Sequence, residues 1–378
     1  MNHAHFSQYP AQDYARERET LKASIQAFME QCADGSTADI TRDALLERVL
    51  SWQYTHVKPY QRFVDAQSLQ SSAKDRRWPA LPADIFRHAR VSGHAPQWDR
   101  KHFLTSATTD HTQGQHFLRE TTLYDQAAFL AARYALFPDD VSLPLLILAP
   151  SEEDAPRSSL SYMLARFLAW FPHKDSTYIW QNNHLDIRLL SQRLDSACHC
   201  RQPVALLGTA LAFAHALKSL ETTWRLPLHS RVMLTGGFKG KVHDVSFQDL
   251  RQSIATTFAI PEDFIVGEYG MTEVSSQLYT LNLRNASLDL PIRREDYWAP
   301  GWTRVSVVLP ETGCPAPPGE VGIIRIDDLA NLDSVASIQT SDLGVLSTHG
   351  LTLLGRAQHA GMRGCSWTAD AQLSARNS

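Results

Sequence analysis

The feature that most constrains this chain is the alternation of short apolar runs with helical stretches between about residues 120 and 266. Residues 143–148, 178–180, 204–208, 231–234 and 264–266 are apolar runs of strand length. Residues 123–134, 158–171, 185–194, the segment leading to Leu220, and 247–258 lie between or before them with helical periodicity. Strands that alternate with helices imply βαβ units and a largely parallel sheet covered on both faces. Right-handed crossovers put the strand ends on one edge, so the ends after Leu207, Leu234 and Val266 are expected to share a crevice.

The flanks read differently. Residues 1–78 are helical, with Tyr14, Leu21, Ile25 and Phe28, then Leu45, Leu46, Val49 and Trp52, at helical spacing. Asp39 or Thr41 is expected to cap the second helix. This segment carries no chemistry and is expected to pack on the main domain. Residues 79–288 form the α/β core. Residues 289–378 form a small β-rich subdomain and a short C-terminal remnant, with strands expected at 302–309 and 322–326 and a Pro-Gly turn at 315–319.

Composition narrows the function classes. A net charge of −4 argues against a surface evolved for nucleic acid or anionic membrane. No apolar run approaches a membrane span. No basic start followed by an apolar stretch opens the chain, so no signal peptide is expected. Five scattered cysteines suggest reduced thiols and a cytoplasmic protein. Cys198-His199-Cys200 lacks a second pair at structural-zinc spacing, so a metal reading is disfavoured. His102, His111 and His116 flank a hydroxyl-rich loop. They read either as substrate contacts or as surface or hydrogen-bonded core histidines.

Three stretches carry candidate chemistry. Phe264-Ile265-Val266 is expected to be a buried strand that turns at Gly267 and Gly270, then presents Thr272 and Glu273. Threonine can hydrogen-bond a phosphate oxygen, and glutamate is a hard ligand suited to a magnesium ion carried by a nucleotide. Thr105, Ser106, Thr108 and Thr109 place four hydroxyls in five residues, able to surround phosphate oxygens. Thr235-Gly236-Gly237 ends a strand in a turn open to close approach, followed by Lys239 and Lys241. Each stretch also has an ordinary reading, as a solvated corner, a polar surface loop and a simple turn.

Their order resembles the adenylate-forming superfamily of acyl- and aryl-CoA ligases, luciferases and peptide-synthetase adenylation domains. Tyr269-Gly270-Met271-Thr272-Glu273 resembles its Y-G-x-T-E motif, and residues 105–110 resemble its T-S-G-T-T-G loop, with Ala107 and Asp110 in place of both glycines. Residues 317–322, Thr340-Ser341-Asp342 and Gly355-Arg356 are similar to its P-G-E-x-G, T-G-D and G-R segments. The resemblance implies ATP and Mg2+ as cofactors. It places Tyr269, Gly270, Gly236 and Gly237 around adenine and Thr272 at the α-phosphate. Glu273 falls on the metal, Asp342 on the ribose and Arg356 at a hinge.

The sequence ends 22 residues after Arg356 and has no lysine after Lys241, where the larger ligases continue into a domain with an essential lysine. With Arg363-Gly364-Cys365-Ser366 near its end, the chain is similar to the LuxE-type acyl-protein synthetases. That resemblance implies activation of a carboxylic acid, a fatty acid in that family, and transfer to a thiol, with Cys365 as acceptor and an acyl reductase as partner. Two other readings stay open. One is an acyl- or aryl-CoA ligase-like enzyme with another acceptor. The other is an impaired relative that binds a nucleotide or partner, suggested by Ala107 and Asp110.

Overall fold

The computed structural model describes residues 11–70, 78–105, 112–236 and 246–356. Three helices lead the chain: α1 (Ala11–Gln31), α2 (Asp39–His56) and α3 (Lys58–Gln70). Strand β1 (Leu81–Pro82), helix α4 (Ile85–His88), strands β2 (Lys101–Leu104) and β3 (Gln115–Leu118), and helix α5 (Thr122–Ala135) follow. The alternating region comprises β4 (Leu145–Leu148), α6 (Ser159–Trp170), β5 (Thr177–Tyr178), β6 (Trp180–Gln181), β7 (His184–Leu185), α7 (Ile187–Cys200), β8 (Ala205–Thr209), α8 (Ala210–Ser219), β9 (Arg231–Thr235), α9 (Phe247–Phe258) and β10 (Ile265–Tyr269). Then come β11 (Leu278–Thr280), α10 (Asn282–Ser287), β12 (Asp296–Trp298), β13 (Thr303–Val308), β14 (Val321–Asp328), β15 (Ser337–Ser347) and β16 (Gly350–Arg356).

Twelve strands form one sheet in the order β13-β14-β15-β16-β12-β11-β10-β9-β8-β4-β5, with β1 paired to β15. From β5 to β10 every pairing is parallel. From β10 to β13 every pairing along the sheet is antiparallel. The strands after residue 289 therefore continue the sheet of the alternating region. Parallel strands covered on both faces read as continuous apolar runs. The residues of these strands divide by parity: Leu145, Ile147, Ala205, Leu207, Met233 and Val266 join the core shared with α1, α2, α5 and α6. Leu146, Leu148, Leu206, Val232, Leu234 and Ile265 join the core shared with α7, α8 and α9.

The helix starts follow side-chain chemistry at four places. The Ser158, Asp186, Thr209 and Ser246 side chains accept hydrogen bonds from backbone N–H groups three residues on, and Asp249 completes a capping box at α9. The start of α2 departs from expectation. Asp39 is its first residue, and Ala38 stands at the cap without a side-chain bond. Asp39 instead pairs with Arg42 one turn on, at 2.8 Å.

Candidate active site

The parallel half of the sheet sets the site. In register, Leu148 lies beside Gly208, Gly208 beside Leu234, and Thr235 between Thr209 and Glu268. The C-terminal ends of β8, β9 and β10 thus reach the same edge, where open α/β sheets hold ligands. Gly236 leaves this edge with φ at +75°, and an added Cβ there would meet nothing within 4 Å.

One expected turn is corrected. Gly267 lies inside β10, paired with Leu234, and Phe264 belongs to the short 3-10 turn before it. A Cβ at Gly267 would come within 2.7 Å of the Tyr297 hydroxyl and 3.2 Å of Thr280 Cγ2. The glycine serves close packing between strands, and the chain leaves the strand at Gly270.

Three residues singled out in the sequence meet at this edge. The Tyr269 hydroxyl donates to Asp342 Oδ2 at 2.8 Å, and Arg356 Nε lies 3.5 Å from Asp342 Oδ1 across the β15–β16 pair. Burial, and the Asp342 carboxylate beside it, push the Tyr269 hydroxyl well above its usual range, so it stays a donor. Asp342 is partly exposed and Arg356 exposed, which leaves the pair open to a ligand from solvent. Thr272 lies beside the root of the hydroxyl-rich loop, its Oγ1 3.5 Å from the Leu104 carbonyl. Thr105 closes that root: its N–H donates to the Gly114 carbonyl at 2.9 Å, and its hydroxyl accepts from the Gly114 N–H at 2.8 Å. Gly270 is exposed at the same turn, and Glu273 is buried just beyond Thr272. A glutamate carboxylate is a hard oxygen ligand of the kind a magnesium ion takes alongside nucleotide phosphates and water. Ser106, Thr108, Thr109, His111, Gly237, Lys239, Lys241 and Cys365 lie outside the described residues.

Two groups escape a reading of the sequence. Glu268 is buried next to the motif tyrosine, bonded to the Thr235 hydroxyl, with Tyr124, Tyr279 and Tyr297 nearby. Burial pushes its carboxyl up to about 7. A Cβ at Gly270 would lie 2.5 Å from Glu268 Oε1, so a larger residue there would push against the Glu268 carboxyl. The second group is a buried polar clasp. Asp328 accepts from the Ser275 and Ser276 N–H groups at 3.0 and 2.8 Å, and Asn331 donates to the Glu273 carbonyl at 2.7 Å. An acidic residue two places from a motif is a weak signal, and the clasp joins segments too distant in sequence to be paired by inspection. His102 stacks on Phe117, with ring centroids 4.4 Å apart. Cys198 Sγ donates to the Arg225 carbonyl at 3.4 Å. Among the described residues no cluster of three or more His, Cys, Asp or Glu side chains is placed to hold a metal ion. Among them, too, no helix is long and apolar enough to cross a membrane.

The fold is similar to that of a CoA ligase of known structure. A 2-hydroxyisobutyryl-CoA ligase, solved in an open conformation with 2-HIB-AMP and CoA, superposes with a TM-score of 0.56 at 13% identity. The match covers 85% of this chain and 76% of that one. ATP-bound MatB from Rhodopseudomonas palustris gives a TM-score of 0.49 at 18% identity, over 68% of this chain and 47% of its own. The AMP complex of the O-succinylbenzoate CoA synthetase MenE from Bacillus subtilis gives 0.45 at 16%, over 77% and 54%. The chain thus spans about half the length of MatB and MenE. No family model and no curated protein matches the sequence.

Proposed function

We propose that this protein activates a carboxylic acid, a fatty acid on the family resemblance, with ATP and passes the acyl group to a protein thiol. The observation that carries the reading is the meeting of Tyr269, Asp342 and Arg356 at the strand edge, with Thr272 beside the root of the hydroxyl-rich loop. Asp342 is suited to accept hydrogen bonds from both ribose hydroxyls, and Arg356 to donate to ribose or phosphate. Thr272 and the hydroxyl-rich loop are suited to the phosphates. Magnesium, held by Glu273 and the nucleotide, would neutralise phosphate charge as it develops.

The chemistry has two steps. A carboxylate oxygen of the acid attacks the α-phosphorus and forms a C(O)–O–P bond, while the bond to the bridging oxygen breaks and pyrophosphate leaves. A thiolate then attacks the acyl carbon, forming a thioester and expelling AMP. Cys365 is the proposed thiol, with Arg363 two residues before it to favour the thiolate. The thioester would pass to an acyl reductase partner.

The test is exchange of labelled pyrophosphate into ATP with acetate, octanoate, tetradecanoate or benzoate. Exchange that depends on one of the fatty acids supports the reading. Exchange with benzoate alone favours an aryl ligase. ATP binding without exchange favours a nucleotide-binding relative. Labelled octanoate or tetradecanoate should also leave hydroxylamine-labile label on denatured wild type. Cys365→Ser should lose that label while keeping exchange.

A further inference from the structure

Both residues proposed to meet phosphate and magnesium are held through the main chain, Glu273 by the clasp and Thr272 by His116 beside it. His116 Nδ1 lies 2.8 Å from the Thr272 carbonyl oxygen, and His116 Nε2 lies 3.0 Å from Ser334 Oγ. A carbonyl only accepts, so Nδ1 carries the proton; Nε2 is then the acceptor and the Ser334 hydroxyl donates. Burial pushes His116 down to about 4, so the ring stays neutral and holds both bonds at ordinary pH. One residue further along, Asn331 Nδ2 donates to the Glu273 carbonyl at 2.7 Å, while Asn331 Oδ1 accepts from Ser275 Oγ at 2.6 Å. Asn331 and Ser334 are themselves fixed from the helical lead-in. Gln53 donates to the Asn331 and Leu332 carbonyls at 2.8 and 3.1 Å, and Arg18 forms a two-point pair with Asp333 at 2.6 and 2.8 Å.

We infer that His116 is a positioning residue: by holding the Thr272 carbonyl, in concert with Asn331 on the Glu273 carbonyl, it fixes the orientation in which these two side chains meet a magnesium–nucleotide complex. The inference rests on the adenylation reading. It assigns a task to a histidine that touches neither the substrate nor the reacting atoms. A main-chain anchor matters here because a small shift of the Thr272–Glu273 backbone would carry the Glu273 side chain away from the metal.

Two isosteric replacements separate this role from simple packing. The side-chain amide of asparagine matches the Nδ1 position, and that of glutamine matches Nε2. His116→Gln keeps the bond to Ser334 and loses the bond to Thr272, whereas His116→Asn does the reverse. The readout is ATP affinity by calorimetry with Mg2+ and with EDTA. Wild type should bind ATP more tightly with Mg2+. His116→Gln should cut that gain about fivefold, the scale of one lost hydrogen bond, and lower affinity in EDTA by a smaller factor, through Thr272 alone. His116→Asn should restore most of it. If His116→Gln does not fold, Asn331→Ser removes the other anchor and should cut the gain in the same way. An unchanged Mg2+ gain in a folded His116→Gln, or an equal loss with and without Mg2+, overturns the inference and leaves the adenylation reading standing. Failure of the wild type to bind ATP removes that reading, and this inference with it.

Discussion

Replacing Glu268 by glutamine isolates the energetic penalty of burying one carboxyl beneath the crevice. The side chain is only 4% exposed, and burial raises its pKa from an ordinary 4.5 to about 7, against the opposing effect of the Thr235 hydroxyl. A carboxyl whose folded pKa is raised binds more protons in the folded state than in the unfolded one, so stability falls as pH rises. The loss begins near the unfolded value of 4.5, accumulates up to about 7 and levels off above it. The rise corresponds to roughly 3.5 kcal/mol at most, since each tenfold change in an ionisation constant is worth about 1.4 kcal/mol. Glutamine keeps the shape and an oxygen for the Thr235 hydroxyl, and it does not titrate. Glu120, held down to about 2 by Lys22 and Arg18, titrates identically in both proteins and cancels in the comparison. Urea unfolding should find the two proteins alike at pH 4.5, apart from a constant offset. Glu268→Gln should then gain about 2–3 kcal/mol on wild type by about pH 8. Parallel stability curves across that range would refute the argument, since they would mean that Glu268 ionises in the folded protein as easily as in water.

Four further substitutions test other parts of the reasoning. Asp342→Ala should weaken ATP binding by about tenfold, through loss of a carboxylate acceptor, while Glu273→Gln should mainly reduce the Mg2+-dependent part; calorimetry with and without Mg2+ separates the two. Asp139→Asn breaks a two-point pair, at 2.8 and 2.6 Å, with fully buried Arg231, and should cost about 3–5 kcal/mol in urea unfolding. Gly267→Ala drives a methyl group against Tyr297 and Thr280 between two strands, and should cost about 1–3 kcal/mol by the same measurement.

The parts of the fold legible in the sequence are those that use local rules. Strands β4, β8 and β9 appear as unbroken apolar runs because both of their faces are covered. The helix expected at 247–258 is α9, whose start the structure shows fixed by a capping box of Ser246 and Asp249 complete within four residues. Gly267 misleads for the opposite reason. A glycine looks the same in a turn and in a strand, and what requires it here is Tyr297, thirty residues on, in β12. The motif residues Tyr269, Asp342 and Arg356 can be named from sequence, but not the bond that joins the first two across 73 positions.

The same limit explains why residues 1–78 show no chemistry in the sequence. Their contribution lies in what they hold. The Arg18–Asp333 pair spans 315 positions, and the Gln53 contacts span 278 or more. Gln53 satisfies two carbonyls and the Ala336 N–H on a buried loop, and unmade bonds in such a place are expensive. That loop carries Asn331 and Ser334, which reach Glu273 and His116. The helical segment therefore acts on the candidate site through a chain of satisfied hydrogen bonds, each link of which is a buried polar group that an apolar neighbour could not replace.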